Sequence, residues 1–195
     1  MCSRFENDRK AVLPNFDIDP ASEIVAAAKW GEIRPTDPTL VISYDDEPVV
    51  RRWGLNPEWA ERPIINAKAE EAAGKKTFQP LLANRCVIPA IAYFEWRIDG
   101  SRKIKTRIAP GGLVQIAGLV NAASFVMFTC AAAPGIAHIH HRMPAILSED
   151  AIDDWLNPDA DFVELRPLLV PFPRALAFTD AAPPTRAAPL QHSLF

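Results

Sequence analysis

Proline restricts the fold of this chain more than any other residue type. Nineteen prolines against eight glycines occur in the 195 residues. Each proline fixes its own φ angle and lacks a backbone N–H, so long helices are excluded and many short elements joined by fixed turns are expected. One domain is the simplest organisation at this length, since 49% hydrophobic and 23% charged residues are typical of a chain with a single core.

Strand-like runs, several of them rich in β-branched or aromatic residues, are the majority element. They do not alternate with long helices, so we predict an α+β fold with a curled, largely antiparallel, barrel-like sheet and short flanking helices. The domain is predicted to span residues 1–180, and the Ala- and Pro-rich residues 181–195 to form an extended tail. Strands are predicted at 40–44, 49–53, 86–88, 92–96, 103–108, 113–120 and 125–131, and helices at 21–29, 67–73, 78–83 and 149–156.

Hydropathy and cysteine content narrow the class of protein further. The sequence has no apolar run of about 18 residues and its N-terminus is polar, which predicts a cytoplasmic chain without a signal peptide or membrane span. Its three cysteines are odd in number and lack CxxC spacing, so neither a disulfide framework nor a zinc site is expected. Cys86 and Cys130 lie in apolar segments and are predicted to be core residues.

Charge is distributed unevenly along the chain. Residues 51–107 carry 12 Lys/Arg and 6 Asp/Glu, although the net charge of the whole chain is −3. A local basic surface can attract phosphates even on an acidic protein. Solvated faces of helices and strands would give the same balance, so charge alone does not separate the two interpretations.

Cys2 directly follows the initiator methionine, in a start from which methionine aminopeptidases usually strip the first residue. An N-terminal cysteine carries a free α-amine with a pKa of roughly 8 and a thiol with a pKa of roughly 8.5, so part of each is nucleophilic at neutral pH. The amine can condense with an aldehyde to a Schiff base, and the thiol can then close a five-membered thiazolidine. A small residue tolerated at an unimportant terminus is the alternative.

Further polar groups interrupt the structured stretches. Glu95 lies in the apolar run AIAYFEW, where desolvation would raise its pKa toward the range of general acid–base catalysis; a strand glutamate facing water is the alternative. His140 and Arg142 in HHRMP suit proton transfer beside a phosphate contact, although structural histidines are common. His138 and His140 could share a metal, but no Cys or carboxylate lies nearby at ligand spacing, so no metal or cofactor is predicted.

Eight segments resemble, in order, the SRAP family, named as SOS response-associated peptidases. They span residues 2 to about 156 and read MCSRF, PNFDIDP, RRWGLNPEWA, INAKAE, NRCVIPAIAYFEW, FTCAA, IHHRMPAIL and DAIDDWL. Members of this family sense abasic sites in single-stranded DNA and bind them covalently through the N-terminal cysteine. This chain departs from the family pattern at two positions: Ser3 replaces the usual glycine after the cysteine, and Lys68 replaces the usual arginine. Lysine carries the same charge but cannot make the bidentate hydrogen bonds that arginine makes to a phosphate.

The resemblance implies an active site made of Cys2, Asn66, Glu95 and His140. It implies that the protein is an abasic-site sensor of the DNA damage response. The protein would crosslink to the lesion through a thiazolidine and so shield it, and this activity would be lyase-like. In the mechanism we expect, Asn66 holds the Cys2 amine, His140 protonates the sugar ring oxygen and Glu95 relays protons. The expected partner is single-stranded DNA with abasic sites, bound by a monomer that is nucleoid-associated when on DNA.

Five further residues are predicted to contact the DNA. We expect Arg4, Lys68 and Arg142 to bind backbone phosphates, and Trp53 and Trp96 to offer surfaces for unstacked bases. Core packing is the alternative for both tryptophans and the one favoured for Trp96.

Two other functions stay open at this point. The family name suggests a thiol peptidase that processes its own N-terminus with Cys2 as nucleophile and His140 as base, although nothing in the residues indicates turnover of other proteins. A non-covalent module for single-stranded DNA is the other possibility, and retention of Met1 would favour it.

Overall fold

The computed structural model describes residues 2–44 and 47–181, so all of the predicted tail except Ala181 lies outside the described residues. Twelve strands and four α-helices occur in the described part, none longer than eight residues, as the proline content predicts. The strands are β1 Arg4–Asn7, β2 Gly31–Ile33, β3 Pro38–Ser43, β4 Pro48–Trp53, β5 Asn66–Lys68, β6 Arg85–Ala90, β7 Ala92–Asp99, β8 Arg102–Ala109, β9 Val114–Val120, β10 Ser124–Ala131, β11 Arg142–Pro144 and β12 Ala177–Asp180. The helices are α1 Arg9–Asn15, α2 Glu23–Ala27, α3 Ile152–Leu156 and α4 Phe162–Leu165.

Five strands close into a small barrel. Hydrogen-bonded neighbours run in the order β10, β4, β3, β6, β9 and back to β10. All of these pairings are antiparallel except that of β10 with β4. Further along β10, β5 continues the parallel edge and β11 pairs antiparallel on the other side. The predicted α+β fold with a curled, largely antiparallel, barrel-like sheet is confirmed.

A second sheet stands beside the barrel. Its order is β12, β8, β7, β1, β2, and every pairing in it is antiparallel. One residue, Ile91, separates β6 of the barrel from β7 of this sheet, and its N–H donates to the Glu6 carbonyl at 2.8 Å. The chain therefore crosses from barrel to sheet beside β1, the first strand of the protein.

The core is aromatic where barrel and sheet meet. Trp53 is fully buried, with Phe5 edge-on at 5.1 Å and Phe125 stacked at 6.4 Å between ring centroids. Its Nε1 donates to the Ile65 carbonyl at 2.9 Å. No face of this indole is open to a nucleobase, so the prediction that Trp53 contacts DNA is wrong. Cys86 and Cys130 are buried free cysteines, which confirms their prediction as core residues.

Gly118 lets the barrel close. It pairs with Cys86 on one side and with Met127 on the other, in the centre of β9. A Cβ at this position would lie 2.9 Å from both the Cys86 sulfur and the Val126 carbonyl oxygen. Such approach is closer than a methyl group allows, so only glycine permits both neighbouring strands to hydrogen-bond here.

All seven predicted strands occur, whereas the predicted helices hold less well. The helix predicted at 149–156 is present as a 3-10 turn leading into α3, and α2 occupies the centre of 21–29. The helix predicted at 67–73 is wrong, because Asn66–Lys68 pairs with β10 as a strand. Pairing with an open strand edge overrides the moderate helix propensity of an Ala- and Glu-rich segment. Residues 78–83 contain only a 3-10 turn, Gln79–Leu81, in which Pro80 interrupts regular helix formation.

Six short elements, each of three to seven residues, were not predicted from the sequence. They include β1, β2, β11, β12, α1 and α4. The start of α1 carries a recognisable signal, since Asp8 caps it by accepting the Lys10 N–H at 2.9 Å. Within residues 2–44 and 47–181, none of the helices has the length and apolar character needed to cross a lipid bilayer.

Replacing Trp53 by leucine should destabilise the fold by about 3 kcal/mol, because it leaves a cavity between two aromatic rings and removes the hydrogen bond from Nε1 to the Ile65 carbonyl. Urea denaturation followed by circular dichroism measures this change. The matched control is Trp59→Leu, since Trp59 is 70% exposed and its loss should change the unfolding free energy by less than about 0.5 kcal/mol. Equal effects at the two positions would contradict the packing described here.

Candidate active site around Cys2

Cys2 lies at the start of β1, where the barrel and the second sheet meet. Antiparallel pairing of Arg4 with Phe94 and of Phe5 with Tyr93 aligns β1 along β7. Cys2 precedes this pairing by two residues, and its side chain has no solvent-exposed surface. The Cys2 thiol donates to the Arg4 carbonyl at 3.2 Å. The anchoring of β1 thus fixes a chain terminus that would otherwise fray.

Asn66 reaches Cys2 from the barrel. It is the first residue of β5 and pairs with Met127 of β10. Its side-chain Nδ2 donates to the Cys2 carbonyl at 2.7 Å, over a sequence separation of 64 residues. This hydrogen bond ties the first described residue of the chain to the barrel and orients its backbone.

Glu95 is almost completely buried, in the middle of β7. Its strand lies between β1 and β8, so the alternative of an edge-strand glutamate facing water is wrong. Burial raises the pKa of Glu95 to about 7, since a carboxylate loses hydration in a low-dielectric surrounding. A carboxyl group with such a pKa is partly protonated at neutral pH and can both give and take a proton.

His140 completes the group from a loop after the 3-10 turn Pro134–Ile136. Its Nδ1 lies 3.8 Å from Glu95 Oε1 and accepts the Arg142 backbone N–H at 3.0 Å. The His141 ring stacks on it with centroids 4.4 Å apart. Burial lowers the pKa of His140 below its ordinary value, so the imidazole is largely neutral at pH 7.

The Cys2 thiol is not activated as a thiolate. Burial, together with the negative charge of Glu95, raises the pKa of Cys2 well above its ordinary range. At neutral pH the sulfur therefore keeps its proton, in agreement with its donated hydrogen bond. A neighbouring group must accept that proton before the sulfur can act as a nucleophile, and Glu95 carries a suitable carboxylate.

Arg142 is committed to protein contacts. Its guanidinium forms a bidentate pair with the Glu70 carboxylate and donates to the Thr129 carbonyl at 2.6 Å, and its side chain is only 11% exposed. A phosphate could bind only by displacing Glu70, so Arg142 braces the segment after β5 against β11 instead of presenting an open cation. Sequence reasoning missed this clamp, although both partners stand in the quoted motifs NAKAE and HHRMP.

The other predicted DNA contacts are more exposed. Lys68 pairs with Glu71 at 2.6 Å and keeps 44% of its side chain exposed. Trp96 is half-buried outside the core, with the Arg4 guanidinium 5.9 Å and the Lys103 ammonium 5.6 Å from its ring centroid. Core packing, which the sequence favoured for Trp96, is therefore wrong.

The histidine segment does not gather metal ligands. His138 packs edge-on against Phe178, with 5.2 Å between ring centroids. In the part of the chain that the structure describes, no three side chains of His, Cys, Asp or Glu come together as a potential metal site.

Replacing Glu95 by glutamine should stabilise the protein increasingly as the pH rises from 5 to 8. The pKa of Glu95 is about 7 in the folded chain and about 4.3 in an unfolded one, so the wild type loses stability as its buried carboxyl ionises. Glutamine does not ionise, and the difference in unfolding free energy should grow by roughly 2 kcal/mol over this range. Urea titrations at each pH measure it.

The control for this titration is Glu58→Gln, which removes an exposed carboxylate. Its difference from wild type should change little with pH. A difference for Glu95→Gln that is the same at pH 5 and pH 8 would contradict the raised pKa of Glu95.

Known proteins resemble this chain over most of its length. A family model described as SOS response associated peptidase (SRAP) matches residues 1–182. The abasic site processing protein YoqW of Bacillus subtilis (strain 168) is 37% identical, covering 88% of either chain. YoaM of the same organism, also named an abasic site processing protein, is 34% identical over 88% of this chain and 86% of its own.

Solved structures share the fold. A crystal structure of a Bacteroides thetaiotaomicron protein superposes with a TM-score of 0.78 at 25% identity, covering 93% of this chain and 92% of the other. A Bordetella bronchiseptica protein follows with a TM-score of 0.77 at 24% identity, covering 93% and 100%. With its family model matched from residue 1 to residue 182, this chain belongs to the SRAP family.

Proposed function

We propose that this protein processes abasic sites in single-stranded DNA by bonding covalently to them through Cys2, and that the bond shields the lesion. The observation that carries the proposal is the convergence of Cys2, Asn66, Glu95 and His140 at one site. Relatives named abasic site processing proteins support the abasic site as the target. An abasic deoxyribose in its open form offers an aldehyde, the natural partner of an aminothiol.

The first step is attack by the amine. Removal of Met1 frees the Cys2 α-amine, which adds to the aldehyde carbon, and loss of water leaves a C=N bond. The sulfur is still protonated at this stage, because burial raises the pKa of the Cys2 thiol. The Asn66 amide holds the Cys2 carbonyl at 2.7 Å and so limits the rotation of the terminal residue.

Ring closure is the second step. The Glu95 carboxylate accepts the thiol proton as the sulfur adds to the imine carbon, and the imine nitrogen takes up a proton, so a C–S bond forms and the C=N π bond is lost. With its pKa at about 7, Glu95 can take the proton and pass it on. His140 lies 3.8 Å from this carboxylate, and we assign to its protonated form, the minor form at pH 7, the protonation of the sugar ring oxygen when the deoxyribose opens.

Availability of the amine depends on the chain end. While Met1 is present the Cys2 nitrogen belongs to a peptide bond and is not nucleophilic, so the amine can react only after Met1 has been removed. Loss of Met1 is therefore the event on which the proposal depends. A peptide mass of the N-terminus of the protein purified from cells measures it, and a retained methionine would favour non-covalent DNA binding instead.

A thiol peptidase fits the site less well. Such enzymes lower the pKa of the nucleophilic cysteine with a neighbouring cation. Here burial raises the pKa of Cys2, and the charged side chain that adds to this shift is the carboxylate Glu95. The environment therefore favours an amine that attacks first over a thiolate that cleaves peptides.

Incubation with a single-stranded oligonucleotide that contains one abasic site should add the mass of the oligonucleotide, less one water, to the mature protein. Cys2→Ala keeps the terminal amine but lacks the sulfur, so it should give only an imine that hydrolyses unless borohydride reduces it. Intact-mass spectrometry with and without borohydride separates the two products. The matched control is Cys130→Ala, which removes a buried cysteine of the core and should leave the adduct intact.

A second variant tests the amine itself. Lysine inserted between Met1 and Cys2 prevents removal of the methionine, because aminopeptidases act before small residues, and the adduct should disappear although the thiol remains. No adduct from the wild type, or an undiminished and borohydride-independent one from Cys2→Ala, would end the proposal.

Glu95→Gln should slow formation of the adduct by roughly 100-fold at pH 7, because glutamine cannot accept the thiol proton. Gel shift under denaturing conditions over time measures the rate. An unchanged rate would assign the proton transfer to another group.

A further inference from the structure

Tyr93 is a buried polar residue that none of the reaction steps proposed for Cys2 uses. It pairs with Phe5 of β1 on one side and with Ile108 of β8 on the other. Cross-strand partners share one face of a sheet. Because Phe5 packs against Trp53 of the barrel, this is the face turned toward the barrel. The Tyr93 side chain therefore lies between the two layers, and only 1% of the residue is exposed.

The Tyr93 hydroxyl is buried without a hydrogen bond. Among the residues that the structure describes, no donor or acceptor is bonded to its oxygen. A buried hydroxyl without a partner lowers the stability of a folded protein, and phenylalanine would fill nearly the same space without this cost. Packing of the core therefore does not explain the hydroxyl, and such unsatisfied groups often have a role in a reaction.

The phenol lies among the ionisable groups of the candidate site. Glu95 is two residues further along β7, so both side chains lie on the same face of the sheet. Burial raises the pKa of Tyr93, and negative charge on Cys2, Glu95 or Cys130 would raise it further. Charges have such an effect only on groups close to them. Tyr93 thus adjoins both the sulfur of Cys2 and the carboxyl group that takes its proton.

Tyr93 can donate a hydrogen bond in this position but cannot transfer a proton at pH 7. Its raised pKa keeps the phenol protonated, so the O–H group is present at every pH at which proteins are stable. Glu95 differs, because its pKa of about 7 lets it gain and lose a proton. The two neighbouring residues are therefore suited to different tasks.

Attack by the Cys2 amine creates an acceptor for such a donor. As the nitrogen bonds to the aldehyde carbon, the π electrons of the C=O bond move onto the oxygen, which becomes negatively charged. A donor fixed beside this oxygen stabilises the charged state more than it stabilises the neutral aldehyde, and so speeds the reaction. Tyr93 is fixed before the substrate arrives, since its strand has a hydrogen-bonded neighbour on either side.

We propose that Tyr93 is a catalytic residue of the amine step, in which its O–H group donates a hydrogen bond to the aldehyde oxygen as this oxygen becomes negative. The two protons of the amine pass to the oxygen, which leaves as water, so the C=N bond forms and Tyr93 ends unchanged. This role rests on the proposed function, because an aldehyde must reach Cys2.

Tyr93→Phe removes the hydroxyl and keeps the ring. With the mature protein and a single-stranded oligonucleotide that contains one abasic site, the maximal rate of adduct formation should fall roughly 100-fold. The oligonucleotide concentration that gives half of this rate should not change, because the bond forms only as the oxygen becomes charged. Denaturing gels over time measure both quantities. The matched control is Tyr44→Phe, which removes the chain's other tyrosine hydroxyl, on a residue 37% exposed, and should react as the wild type does.

Urea denaturation separates a catalytic hydroxyl from a structural one. Since the Tyr93 hydroxyl has no partner among the described residues, Tyr93→Phe should unfold at the same urea concentration as the wild type or at a higher one. A slower reaction of a protein that is equally or more stable is the expected pattern. Lower stability of Tyr93→Phe would show that the hydroxyl holds the free protein together, which would overturn the proposal.

The Cys2→Ala background isolates the amine step. This variant has no sulfur, so the imine trapped by borohydride reports the addition of the amine alone. Tyr93→Phe should slow the trapping in this background by about the same factor as it slows the adduct of the wild type. Equal trapping rates with and without the Tyr93 hydroxyl would remove Tyr93 from the amine step and contradict the proposal.

The wild type keeps the two proposals apart. If it gives no adduct, the covalent function fails and the role of Tyr93 fails with it. If it gives the adduct and Tyr93→Phe forms the adduct at the same rate, the role of Tyr93 fails and the covalent function stands.

Discussion

The pairing of β1 with β7 is the contact on which the candidate site depends. Three residue pairs, from Arg4 with Phe94 to Glu6 with Ala92, hold a segment that begins two residues into the chain. A terminus in water loses order readily, but Phe5 is buried edge-on against Trp53 and anchors this strand to the core. Because Phe5 and Cys2 belong to the same short segment, the packing of Phe5 in the aromatic core also fixes the position of Cys2.

Burial sets the chemistry of the site. The same loss of hydration raises the pKa of Cys2, raises the pKa of Glu95 and lowers the pKa of His140. Each shift favours the neutral form, so the site at pH 7 holds a thiol, a partly protonated carboxyl group and a largely neutral imidazole. Such groups exchange protons with little change in charge. Burial of Glu95 lowers the stability of the folded protein at high pH. Carboxyl groups with such raised pKa values are found most often at functional sites.

The barrel and the second sheet each contribute residues to the candidate site. Asn66 comes from the barrel, Glu95 from the second sheet and His140 from a loop, and they meet only because the chain crosses from one layer to the other at Ile91. The Arg142–Glu70 pair then braces the loop of His140 against the segment that follows Asn66.

The amino-acid pattern was sufficient for the fold class and the seven principal strands, because short proline-bounded runs are local signals. The four side chains of the candidate site, Cys2, Asn66, Glu95 and His140, were instead expected from the resemblance of their motifs to those of the SRAP family. Tertiary contacts decided the rest. Asn66–Lys68 forms a strand because it pairs with the edge of β10. Trp53 lies in the core because Phe5 and Phe125 pack against it. Arg142 forms an ion pair with Glu70 instead of presenting an open cation. None of these partners is near in sequence, and the free energy of such contacts depends on distance in space, which no local pattern of residues records.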